Sequence, residues 1–205
     1  SALAMAAEGA QVWATDVNPK LLGAYDGVLN LLEPDQKALR DRFAAYGAEF
    51  DLGGLDAAYV NTHTWVNQAL DLDPNGRAGE VAFLILIGMG FDTSAECAVQ
   101  DRFRTVIARG EQYLRDRPAS SISRDVHLMV ARAYTDIWTL ANGGGYEGAV
   151  PELKSEAPAA RVRAIGEYRA ALSGVSRTPD ARESWIDAWR VMAGLTPMRT
   201  FFYCI

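Results

Sequence analysis

The sequence predicts a mainly α fold in which antiparallel helical hairpins stack on one another, with a short β-α segment at the N-terminus. Three observations carry this reading. At least six segments after Pro34 repeat apolar residues at helical spacing, whereas the one good strand pattern is VWATDV, Val12 to Val17. Three of the helical segments close on a proline, at Gln68 to Pro74, Gln112 to Pro118 and Ala170 to Pro179. A recurring helix, turn and helix with a terminal proline is the pattern of units that bury their apolar faces on their neighbours. A hydrophobic content of 49% over 205 residues supplies the surface for such a core.

The N-terminal segment differs from the rest of the chain. SALAMAAEGA reads as the end of an Ala-rich helix, VWATDV as a short buried strand, and PKLLGAYDG as a helix opened by Asn18-Pro19. The run ALAMAAEGAQVWATDVN resembles the first crossover helix and second strand of the short-chain dehydrogenase/reductase family. That resemblance implies a ribose contact from Asp16 and NAD as cofactor. It covers roughly the first thirty residues. The family's Gly-rich phosphate loop would lie before Ser1, and none of the eight tyrosines has a lysine four residues later. The nearest spacing, Tyr113 to Arg117, offers a guanidinium that stays protonated where the family uses a tunable lysine. The alternative reading of the chain is therefore a fragment or fusion of an NAD-dependent dehydrogenase with no intact active site. SALAMAA also fits the small-residue end of a leader peptide.

From residue 31 to 205 the sequence predicts a helical-repeat domain. Pro34 to Ala48 opens with proline in a first turn and ends at the DLGG break. Leu55 to Leu72, Ala78 to Met89, Glu96 to Arg115 and Arg124 to Ala141 come next as helices. NGGGYEGAVPELKSEAP is an irregular insertion, and Ala159 to Leu172 and Asp180 to Ala193 complete the series before the tail TPMRTFFYCI. In the later helices, His127, Val130, Ala131 and Tyr134 fall at one repeated spacing, and Ala164, Tyr168 and Ala171 at another. These are the spacings of the two helices of a tetratricopeptide repeat, which the chain resembles from about residue 55 on. YLRDRP, a Ser-rich turn and ARAY are closest to the variant in bacterial cell-envelope assembly and coordinator lipoproteins. Gly110 stands where that family has a large aromatic, and the GGGYEG hairpin is longer than the family's tight turn.

The resemblance implies a non-enzymatic scaffold that binds a peptide or helix of another protein in a concave groove, with a cell-envelope location favoured over the cytoplasm. Asp125, Arg132 and Asp136 would project into the groove, away from the His127/Val130/Ala131/Tyr134 packing face. A net charge of -6 and only three lysines, Lys20, Lys37 and Lys154, disfavour nucleic acid and anionic membrane surfaces as partners. Val81 to Phe91 is too short to span a bilayer, which takes about 20 apolar residues.

Chemistry-bearing patterns are sparse. His63 and His127 each stand alone and read as packing residues, so no metal site and no cofactor are expected. There is no G-x-S-x-G elbow and no P-loop. Cys97 and Cys204 lack C-x-x-C spacing and read equally as a pair or as two separate thiols. Trp185 and Trp189, four apart, share one helix face. Packing on the preceding hairpin is the favoured reading, and a partner-docking patch is the other.

Overall fold

The computed structural model describes residues 41–42, 44–45, 49–52, 59–61, 64–88, 99–144, 148–176, 178 and 181–196. The expected strand at Val12 to Val17, Asp16, His63, both cysteines and the expected domain boundary at residue 30 lie outside them. Among the described residues the protein is mainly helical. The chain divides into two compact units, Ser1–Leu86 and Ile87–Ile205.

The first unit contains a short antiparallel ladder of β1 (Phe50–Leu52) with β2 (Tyr59–Asn61), in register Phe50 with Asn61 and Leu52 with Tyr59. This corrects the single helix expected over Leu55 to Leu72. Tyr59-Val60-Asn61 contains an aromatic and a β-branched residue that favour extended backbone, and the helix α1 begins only at Thr64, ending at Leu72. Val66 and Ala69 are buried. Asp73 then stops α1 and starts α2 (Arg77–Gly88), because its carboxylate accepts the Ala78 N–H at 3.2 Å. The continuous apolar run Val81 to Gly88 is helical, with Ala82, Phe83 and Leu86 buried.

The second unit is built on α3 (Val99–Asp116), α4 (Ser123–Ala141), α5 (Ala157–Leu172) and α6 (Arg182–Ala193). Helices α4, α5 and α6 each pack on the helix before them in sequence. The α3–α4 turn is the RDRPASS stretch. Tyr113, buried, hydrogen-bonds Ser120 Oγ at 2.8 Å, Arg117 stacks 4.9 Å over the Tyr113 ring, and Ser123 Oγ donates to the Arg117 carbonyl at 3.2 Å. The tyrosine therefore holds the turn closed from inside.

Gly110 marks a close approach of α3 to α4: a Cβ there would collide with Val130 Cγ2. Val130 fills the space that an aromatic at position 110 would take. Helix α4 is the centre of this unit. From Val130 to Ala141 every residue but Arg132 and Tyr134 is buried, and Thr135 and Thr139 satisfy their hydroxyls on the carbonyls of Ala131 and Thr135.

The stretch expected to be an irregular insertion contributes Val150, Leu153 and Ala157 to the core. Val150 N–H donates to the Leu140 carbonyl at 2.9 Å, and a 3-10 turn, Pro151–Leu153, buries Leu153 completely. Helix α5 presents Ala157, Ala160, Ala164, Tyr168 and Ala171, all buried. Its small side chains let the α4 and α5 backbones approach, and Tyr168 fills the remaining gap.

Candidate functional site

Two polar pairs show how the helices of the second unit are registered. Arg104 of α3 donates to Glu156 at the start of α5, and Arg163 of α5 donates to Glu111 of α3, each across 52 residues of sequence. Moving seven residues along α3 moves the partner seven residues along the chain in the same direction. Helices α3 and α5 are thus parallel neighbours.

Glu111 is the hub of this seam. Its Oε1 accepts from the Tyr134 hydroxyl at 2.7 Å and from Arg163, while Arg115 lies 3.8 Å from its Oε2. Burial pushes the Glu111 carboxyl up, but the bonds from Tyr134 and Arg163 outweigh it and hold the group below the ordinary carboxylate range. Burial, with the bond to Glu111, pushes the Tyr134 hydroxyl up. About two turns earlier on α4, His127 Nδ1 lies 2.6 Å from Glu167 Oε2, joining α4 to α5. His127 and Tyr134 are half-buried, whereas Val130 and Ala131 are fully buried. All of these groups are occupied in holding helices together.

The three residues expected to line a groove stand differently. Asp125 is exposed in the first turn of α4, where a carboxylate favours the helix dipole. Arg132 is half-buried, and Asp136 is only 7% exposed. The three share one face of α4, but that face passes from solvent to interior along its length. The physical reason is that the second half of α4 is covered around nearly its whole circumference, so an outward face there does not exist. Among the described residues no group of His, Cys, Asp and Glu could hold a metal ion, and no helix is long and apolar enough to cross a membrane.

An open apolar surface lies on α6. Its inner stripe, Ser184, Asp187, Ala188 and Val191, is buried. A second stripe runs along the helix through Arg182, Trp185, Ile186, Trp189, Arg190 and Ala193, at steps of three and one. With Thr178 and Leu195 these residues line an open groove of about 620 Å³. Trp189 is 65% exposed and Leu195 61%. Trp185 is half-buried against the core, so the two tryptophans that share a face have different surroundings.

Two devices set the end of this groove. Gly194 adopts φ +75°, which lets the Leu195 N–H turn back to the Arg190 carbonyl at 2.8 Å and brings the Leu195 side chain to the groove. Arg161 of α5, stacked 5.6 Å over Trp138, donates to the carbonyls of Val191 and Met192 at 2.9 Å. The last turn of α6 is thereby fixed to α5. The Trp185/Trp189 face is legible in the sequence, whereas the parts of Arg182, Ile186, Arg190 and Leu195 are not. The signal available for them is the second stripe itself, six positions on a helix that needs only one buried face. No protein-family model matches the chain, and comparisons with curated proteins and with solved structures return no match.

Proposed function

We propose that this chain is a non-enzymatic protein-interaction module that receives a helix of another protein along the outer stripe of α6. The observation that carries this reading is the stripe: Trp185, Ile186, Trp189 and Ala193 line one groove on a helix whose inner face is already packed. An exposed apolar stripe at steps of three and four is the surface that an amphipathic helix covers. A tetratricopeptide-like arrangement is supported by the sequential packing of α3 to α6 and the parallel course of α3 and α5.

The test is a polarisation titration of the full chain with a labelled, designed helical peptide bearing a leucine ridge and uncharged glutamine flanks. Saturable binding, weakened at least about tenfold by Trp189→Ala, is expected, since exposed aromatic anchors dominate such contacts. Absence of saturation, or binding indifferent to both Trp189→Ala and Ile186→Ala, would overturn the proposal.

A further inference from the structure

The groove on α6 has a charge pattern as well as an apolar floor. Of its eight lining residues two are arginines, Arg182 and Arg190, and none is acidic. Neither arginine has an ion-pair partner among the described residues. They stand eight residues apart, about 12 Å along the helix, and bracket Trp185, Ile186 and Trp189. The acidic residues of α6 are elsewhere: Glu183 is outside the lining, and Asp187 is buried on the inner stripe. A site of this kind discriminates by charge while its apolar floor supplies affinity.

Resting on the interaction reading, we infer that the partner is an acidic amphipathic helix, with an apolar ridge flanked by two carboxylates seven or eight residues apart that meet Arg182 and Arg190. Charge argues against the other occupants. A second copy docking α6 on α6 about a two-fold axis would set Arg182 of one chain against the Arg190 end of the other, placing like charges together. The segment 197–205, PMRTFFYCI, is apolar but has no carboxylate side chain and adds Arg199.

The experiment uses the full chain and three designed helical peptides with one leucine ridge. They carry glutamine, glutamate or lysine at two flanking positions seven residues apart. The glutamate peptide is expected to bind roughly tenfold more tightly than the glutamine peptide and the lysine peptide roughly tenfold more weakly, with the difference shrinking as salt rises. The double change Arg182→Glu with Arg190→Glu should invert that order, which loss of folding cannot do. Equal binding of glutamate and lysine peptides, with the glutamine peptide still bound, overturns the charge inference and leaves the interaction reading standing. Binding of none overturns both. Sedimentation showing a dimer that Trp189→Ala dissolves would assign the face to a second copy and overturn the acidic-helix assignment. Displacement of the glutamate probe by an equimolar 197–205 peptide would overturn it in favour of the chain's own segment.

Discussion

Trp138 and Trp189 are the same residue on neighbouring parts of one unit, yet the first is 8% exposed and the second 65%. Trp138 lies on α4, where α5 and the Val150–Leu153 segment cover the helix and Arg161 stacks on its ring. Trp189 lies outside the buried stripe of α6. An aromatic at helical spacing thus carries no information about whether a neighbour covers it. One tryptophan is part of the core, and the other is left exposed.

The largest effect should come from the closed region. Trp138→Ala leaves a cavity beside Arg161 and should cost about 3 to 5 kcal/mol in urea unfolding, as truncation of buried aromatics does. A loss under about 1 kcal/mol, well short of that range, would mean that Trp138 is no more packed than Trp189. Gly110→Ala should come next. It gains helix propensity worth roughly 1 kcal/mol, but its Cβ meets the fully buried Val130. The net expectation is destabilisation, with an overpacking term of about 1 to 3 kcal/mol. Gly110→Ala combined with Val130→Ala should recover part of that loss, and no recovery would place the close approach elsewhere.

The polar seam should respond to pH. Because the folded Glu111 carboxyl lies below its ordinary value, its contribution is fully present above about pH 4.3, the unfolded value. It is lost as pH falls through the lower folded value. Wild-type stability should therefore fall below about pH 4.3 by more than that of Glu111→Gln. Tyr134→Phe, which removes one hydrogen bond to a charged group, should cost about 1.5 to 3 kcal/mol at neutral pH. Matching acid profiles for wild type and Glu111→Gln would remove Glu111 from the seam.

The smallest effect on stability belongs to the open region. Trp189→Ala should change it by about 0.5 kcal/mol or less, as exposed positions do, while abolishing most peptide binding. A large loss of stability there would show that the outer stripe is already covered in the free protein.

Much of the helical layout was legible in the sequence. The segments expected over Ala78 to Met89, Glu96 to Arg115, Arg124 to Ala141 and Ala159 to Leu172 match α2 to α5 within a few residues. Ala164, Tyr168 and Ala171 are buried as their spacing predicts. Which faces stay exposed was less legible. Asp125, Arg132 and Asp136 do occupy one face, but periodicity cannot tell an outward face from one that a distant segment will cover. The glycine-rich stretch after Ala141 looked like loop because composition reports backbone freedom, and it does not report that Val150 and Leu153 reach the core.

Where α2 to α6 begin and end, to within a few residues, and which positions on each share a face, followed from the chain alone. Local backbone preference, proline and glycine, and the 3.6-residue repeat set them within one stretch of sequence. Which faces are used was settled by packing. Coverage of α4 by α5 and the 150–153 turn, the parallel setting of α3 and α5 through Glu111 and Arg163, and the exposure of Trp189 all depend on groups far apart in sequence. Their proximity arises from long-range contacts, which no local pattern encodes.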